Sequence, residues 1–145
     1  MSTKEERYKI GADILQLMAA NDDLPLPNIE RVGKVMMEYF RSESYADGLT
    51  GHWHKKLTKD YWVRHIAEIS AELRKQHLYF VFVRDMGKVT GVWKFATKQE
   101  YEQTLRRDYA DIGTRHETYN DKVNDGKEKW KLELPNLAKV PLLTN

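Results

Sequence analysis

The chain has 145 residues, a net charge of +2, 41% apolar residues and no cysteine. This length and apolar fraction predict a single folded domain with a modest core. The lack of cysteine excludes disulfides and thiolate metal sites. No apolar run approaches the roughly 20 residues of a membrane-spanning helix, and the first residues lack the apolar core of a signal peptide, so we expect a cytoplasmic protein.

The charge is unevenly distributed along the chain. Residues 1–49 carry six basic and nine acidic side chains, a net charge of −3. Residues 50–94 carry nine basic and four acidic side chains, a net charge of +5, and residues 95–145 carry nine of each. A cluster of like charge is usually a solvated surface, but a basic segment can also contact nucleic-acid phosphates.

Segment 1–48 is expected to form two helices that pack on the core. Ser2 or Thr3, each with Glu three residues later, offers the spacing of a capping box. Two prolines in Leu24–Pro27 predict a connector, and Asn28 is expected to cap the second helix. The predicted inner faces are Tyr8, Ile14, Leu15 and Met18 in the first helix, and Val32, Val35, Met36, Tyr39 and Phe40 in the second. The first helix could instead pack on a second subunit.

Segment 49–96 carries the clearest secondary-structure pattern, and the rest of the predicted fold is arranged around it. We predict a short helix over Leu49–Leu57, then a longer helix that starts at Thr58 or Lys59, is capped by Thr58 and continues to Gln76. Its apolar residues recur at helical spacing, and the alternating runs Tyr79–Val83 and Val89–Phe95 then predict a β-hairpin. The members of the helical stripe are Trp62, Ile66, Ile69 and Leu73.

Two helices followed by a hairpin is the order of winged helix-turn-helix domains, with the second helix reading DNA and the hairpin as the wing. The expected fold is therefore mainly α with a β-hairpin, a winged helix-turn-helix flanked by N-terminal helices and a long C-terminal helix. We expect Lys59 and Arg64 to face the groove, with Val63 and Ala67 on the same side. The residues expected to hold phosphates are Lys55, Lys56, Arg84 and Lys88.

Histidines offer a metal-site alternative in the same segment. His65 lies eleven residues after His54 in the His52-x-His54 pair, but that pair lacks the spacing of helical ligands and no acidic pattern completes a set. Surface or capping roles are favoured for these histidines. The sequence has no nucleophile elbow, phosphate loop or dinucleotide fingerprint, so we expect neither an enzyme nor a cofactor nor a bound metal.

Segment 97–126 is expected to be one long helix. Thr97 and Glu100 have capping-box spacing, and Asp125-Gly126 is expected to end the helix. Its apolar stripe predicts either a homodimer through this helix or packing on the first two helices. Segment 127–145 is expected to be an extended tail, either a strap on the protein or a peptide for a partner. The apolar stripe of segment 97–126 consists of Tyr101, Leu105, Ile112, Tyr119 and Val123, joined by Tyr109 and His116.

One resemblance rests on residues 49–120. Ile69–Leu73, the run Gly91-x-Trp93-x-Phe95-Ala96-Thr97, Glu100-x-Glu102 and the helix with Arg106, Arg107, Ile112 and Arg115 resemble small winged-helix proteins encoded in phages and prophages. The resemblance implies a winged-helix fold and binding of double-stranded DNA in regulation, replication or packaging, in the host cytoplasm if the protein is phage-encoded.

A protein-interaction module that inhibits a host protein is the alternative function. The acidic N-terminal segment favours this alternative, whereas the +5 charge of residues 50–94 favours DNA. A continuous basic face across the reading helix and the wing would indicate DNA, and a face of mixed charge would indicate a protein partner.

Overall fold

A computed structural model describes residues 3–42, 55–84, 90–131, 133, 135–138 and 141. Five helices and two strands follow one another in it, and none of these helices is long and apolar enough to span a lipid bilayer. The prediction of a mainly helical fold with a hairpin and a long C-terminal helix is confirmed. The elements are α1 (Lys4–Ala20), α2 (Ile29–Arg41), α3 (Lys59–Arg64), α4 (Ile66–Arg74), β1 (Phe80–Arg84), β2 (Gly91–Phe95) and α5 (Lys98–Trp130).

The chain forms two compact units, Met1–Tyr101 and Glu102–Asn145, and the division falls within α5. The core of the first unit is built from buried side chains of α1, α2, α3, α4 and β1, joined by Leu57. The predicted inner faces of these helices are confirmed. The fully buried members are Ile14, Leu15, Met18, Val32, Met36, Phe40, Trp62, Ile69 and Leu73.

The capping residues of α1 and α2 were identified correctly. Thr3 and Glu6 form a complete capping box, and the Asn28 side chain accepts a hydrogen bond of 2.8 Å from the backbone N–H of Arg31. These bonds satisfy amide groups that have no partner inside the helix. Because Ile14, Leu15 and Met18 are fully buried in the protein's own core, the apolar face of α1 is not left for a second subunit.

Helix α2 approaches α3 closely at Gly33. A Cβ atom at this position would lie 2.6 Å from Val63 Cγ2 and 2.9 Å from the carbonyl oxygen of Lys59. Glycine alone leaves room for the two helices at this distance.

The sequence had placed the helix before α3 at Leu49–Leu57; Lys55 and Lys56 are helical, and residues 43–54 lie outside the described residues.

The predicted single reading helix is wrong in one respect, because it is two helices with a kink at His65. This residue has φ −106° and ψ 17°, away from helical values. The hydrogen-bond ladder continues across the kink, since His65 N donates to Tyr61 O at 3.1 Å and Ile69 N donates to His65 O at 3.0 Å. The imidazole packs 4.5 Å from the Tyr61 ring and 5.6 Å from the Tyr8 ring, between centroids.

Thr58 stands at the N-cap of α3, but its side chain makes no capping hydrogen bond. The predicted cap is therefore correct in position and wrong in its interaction. Its backbone carbonyl accepts from Trp62 N at 3.2 Å, which begins the helix.

The hairpin is confirmed, with β1 and β2 antiparallel and Phe82 opposite Trp93. Residues 85–89, which separate the two strands in the sequence, lie outside the described residues. An additional pairing was not predicted. Leu26, from the connector between α1 and α2, forms an antiparallel bridge with Trp93 through two backbone hydrogen bonds of 3.1 and 2.8 Å. The connector therefore borders the sheet on the β2 side.

Helix α5 begins as predicted, with a reciprocal capping box between Thr97 and Glu100. The predicted end at Asp125-Gly126 is wrong, because the helix continues to Trp130 and Gly126 is buried within it. Its cost of about 1 kcal/mol relative to alanine is too small to stop an established helix. Lys131, with φ 54°, is left-handed and reverses the chain instead.

The apolar stripe of α5 is exposed over much of its length. Leu105, Ile112 and Tyr119 are 49%, 45% and 38% exposed, whereas Val123 is buried. Of the two alternatives for the tail, residues 135–137 form a strap, since they hydrogen-bond to side chains of α5.

Gly33→Ala should lower the free energy of unfolding by about 1–3 kcal/mol, because the added methyl group forces α2 away from α3. The sign of this change in the free energy of unfolding is informative, since Gly→Ala at an unhindered helix position raises stability by about 1 kcal/mol. Urea unfolding followed by circular dichroism measures it. Lys34→Ala, at the next and exposed position of α2, is the matched control and should stay within about 0.5 kcal/mol of the parent. An unchanged or raised stability of Gly33→Ala would contradict the close contact.

Candidate nucleic-acid interface

The exposed face of α3 and α4 lies opposite the core. Asp60, Arg64, Ala67 and Glu68 follow one another at steps of four, three and one, and all four are exposed. The Asp60 side chain is 82% exposed and the Glu68 side chain 49%. This face therefore presents one cation and two carboxylates, a mixed charge pattern.

Lys59 and Val63 lie on the side of α3 that faces α2. The Lys59 ammonium is 2.7 Å from a carboxylate oxygen of Glu30, and this hydrogen bond raises the pKa of Lys59 above its usual value. Val63 is half-buried and its Cγ2 atom adjoins Gly33. The structure thus separates this pair from Arg64 and Ala67, which the sequence had placed on the same side.

Four of the predicted phosphate or groove contacts are exposed cations. Lys55 and Lys56 precede α3, Arg64 ends it, and Arg84 ends β1. Among the described carboxylates, none lies within ion-pair distance of these four side chains. Lys88, the eighth predicted contact, lies outside the described residues.

Two other cations of the basic segment are paired, which sequence reasoning missed. Lys94 of β2 is 3.1 Å from Glu100, and Lys75 is 2.8 Å from Glu72. The pKa of Glu100 is lowered, first by the backbone N–H of Thr97 and then also by the ammonium of Lys94. The three-residue spacing of Lys75 and Glu72 on a helix was a usable signal. The Lys94–Glu100 pair depends on the angle between β2 and α5, so no sequence pattern could have predicted it.

A polar cluster surrounds the kink at His65. Arg7, although buried, donates a hydrogen bond of 3.0 Å from Nε to the Tyr61 hydroxyl, and the Tyr8 hydroxyl lies 3.4 Å from His65 Nδ1. Burial is the main cause of a raised pKa of Tyr8. Glu68 faces the same imidazole nitrogen at 3.8 Å. The cluster joins α1 to the kink, and no local sequence pattern predicts it, because Arg7 and Tyr8 lie far away in the chain.

Metal chemistry finds no support in the described part of the chain. No group of three or more histidine and acidic side chains there is arranged to hold a metal ion. His52 and His54 lie outside the described residues, so the three-histidine alternative stays an untested alternative.

Glu100→Gln should remove a pH-dependent part of the stability. A carboxylate whose folded-state pKa lies below its ordinary value of 4.5 contributes stability that is present above that value and is lost as the pH falls through the folded pKa. We expect the substitution to cost about 0.5–1 kcal/mol at pH 7 and less at pH 3, since the contribution of the carboxylate falls as the pH drops towards its lowered folded-state pKa. Urea unfolding at both pH values tests this. Glu117→Gln, exposed on the same helix and in no ion pair with a described residue, serves as the control. A cost of Glu100→Gln that is equal at both pH values would contradict the assignment.

No protein-family model matches the chain, and neither a curated protein nor a solved structure does so.

Proposed function

We propose that the protein binds double-stranded DNA through a winged helix-turn-helix, in transcription regulation or DNA replication of the kind that the phage resemblance implies. The observation that carries the proposal is the order of the elements in the first unit. Helix α1 is followed by an extended residue, then by α2, by the kinked pair α3 and α4, and by the hairpin. The extended residue, Leu26, pairs with Trp93 of the hairpin. In this arrangement α2 takes the place of the short helix predicted over Leu49–Leu57 as the supporting helix. Helices α3 and α4 together are the reading helix, and the hairpin is the wing.

Exposed cations that form no ion pair with a described carboxylate are the proposed DNA contacts. Arg64 stands on the exposed face of the reading helix, Lys55 and Lys56 precede that helix, and Arg84 lies on the strand that leads into the wing. Their guanidinium and ammonium groups are suited to phosphate oxygens. The ammonium of Lys59 is already neutralised by Glu30, and Val63 is covered by α2. The proposal is therefore a phosphate-dominated interface with little direct base readout.

A second copy completes the proposal. A long helix with half-exposed Leu105, Ile112 and Tyr119 gains from pairing with an identical helix, because pairing removes apolar surface from water. A two-fold dimer through α5 would present two reading helices to one duplex.

The second candidate function is a protein-interaction module, such as an inhibitor of a host protein. The mixed charge of the α3–α4 face favours it, since exposed Asp60 and Glu68 accompany Arg64 there. A partner with complementary charges of both signs would fit such a face. Phosphate, in contrast, is repelled by both carboxylates.

Arg64→Ala should weaken binding to duplex DNA about three- to tenfold at low salt, equally on every sequence. Fluorescence anisotropy with a random-sequence duplex across a salt series measures it, and the log–log slope should fall by about 0.9 for one lost phosphate contact. Arg107→Ala, an exposed arginine of α5, is the matched control and should leave both quantities unchanged. Absence of salt-dependent binding by the parent protein would exclude the proposal. A loss confined to one preferred sequence would make Arg64 a base contact.

Asp60→Asn distinguishes the two candidate functions. Removal of a carboxylate beside Arg64 should strengthen DNA binding, about two- to fivefold at low salt, because repulsion of phosphate is relieved. The same change should weaken binding to a charge-complementary protein partner. The comparison uses the same anisotropy titration, with Asp111→Asn on α5 as the control. Weaker DNA binding by Asp60→Asn would instead indicate that Asp60 accepts a hydrogen bond from a cytosine amino group.

A further inference from the structure

The tail is held against α5 mainly through its backbone. The side-chain amide of Asn120 makes two hydrogen bonds to Leu137, accepting from its N–H at 2.7 Å and donating to its carbonyl at 2.9 Å. The Tyr119 hydroxyl donates to the Pro135 carbonyl at 3.4 Å. Side chains of α5 thus hydrogen-bond to the backbone N–H and carbonyl groups of the tail, as a neighbouring β-strand would.

Asn136 adds sequence selectivity to this contact. Its side-chain nitrogen Nδ2 donates to Asn124 Oδ1 at 3.0 Å, and its side-chain oxygen Oδ1 accepts from the Lys127 ammonium at 2.8 Å. Asn120, Asn124 and Lys127 lie at steps of four and three, so they form a single ridge of α5. We call these three residues the clamp. Val123, between its members, is 4% exposed.

The chain reaches the clamp by reversing at Lys131. This residue has φ 54°, a left-handed conformation that costs an L-residue other than glycine free energy because Cβ crowds the carbonyl oxygen. The closed form of the tail therefore contains local strain. Every clamp contact is also solvent-exposed, so water can replace each one as the tail opens.

We propose that the clamp is an intermolecular binding site whose second occupant is the Pro135–Leu137 segment of another copy of this chain. The clamp contacts are the same whether the tail comes from its own chain or from a second one, and exchange lets Lys131 leave the left-handed conformation. Exchange also joins two chains, each of which offers the half-exposed residues Leu105, Ile112 and Tyr119 of α5 as apolar surface. The tether favours the closed monomer when dilute, and concentration favours the exchanged pair.

This inference gives a mechanism for the pairing through α5 that the proposed function includes, and it rests on that pairing. The two can fail separately. Tail exchange is tested without DNA, by determining whether the tail is linked to the clamp of its own chain or of another chain. The functional proposal is tested by DNA binding.

The test converts the contact between Asn124 and Asn136 into a covalent link. The full chain has no cysteine, so Asn124→Cys/Asn136→Cys places the only two thiols across the clamp. The two hydrogen bonds between the Asn120 side chain and the Leu137 backbone remain, as does the Tyr119 bond to Pro135, whereas the bond from Lys127 to Asn136 is lost. A short bis-maleimide or oxidation then joins tail to helix. A link within one chain runs as a monomer on a denaturing gel without reductant, and an exchanged tail runs as a dimer.

We expect links within one chain at about 10 µM, and a dimer fraction that rises about tenfold by about 1 mM. Lys131→Pro, which cannot adopt positive φ, should raise the dimer fraction further, and Lys131→Gly, which adopts it freely, should lower it. Asn120→Ala in the double-cysteine chain should reduce both products. Asn124→Cys alone measures links from random collision.

Three outcomes would overturn the proposal. The links could stay within one chain at every concentration and in both Lys131 variants. The dimer fraction could match that of the single-cysteine control or persist without Asn120, which would identify collision rather than the clamp. No link of either kind would show that the tail does not occupy the clamp.

Discussion

The contact between α2 and α3 at Gly33 is the constraint on which the first unit depends. A glycine there lets the helices approach until Val63 and the backbone of Lys59 lie against α2. That approach fixes the rotation of α3. Once Val63 and Lys59 face α2, Arg64 and Asp60 are left for the solvent side, and Trp62 enters the core with an edge-on contact to Phe40 at 5.9 Å.

The rotation of α3 also decides how the basic segment can act. Its net charge of +5 suggests a strongly cationic surface, yet Lys59, Lys75 and Lys94 each lie within 3.1 Å of a carboxylate oxygen. Exposed ion pairs of this kind add little to stability, but they reduce the field that phosphate meets. Net charge counted along a sequence therefore overstates the positive potential at the surface of this segment.

Local signals predicted the elements, and long-range contacts decided their arrangement. The capping boxes at Thr3 and Thr97, the cap at Asn28 and the apolar spacing from Trp62 to Leu73 each act within a few residues, so the sequence displays them directly. The kink at His65 involves Tyr8, and the orientation of Lys59 and Val63 involves Gly33. Neither partner is adjacent in sequence, which is why exposure of Arg64 and Ala67 could be predicted and the other half of the candidate site could not.

The bridge between Leu26 and Trp93 has a consequence for how the chain folds. The two residues are 67 positions apart, and their pairing joins the connector behind α1 to the last strand of the first unit. Closing so long a loop is entropically costly before the contact itself repays it, which slows folding. During synthesis α1 and α2 emerge first, but they must wait for almost two thirds of the chain before their connector finds its partner. The apolar faces of both helices are exposed to water and to chaperones until α3 and α4 emerge to cover them.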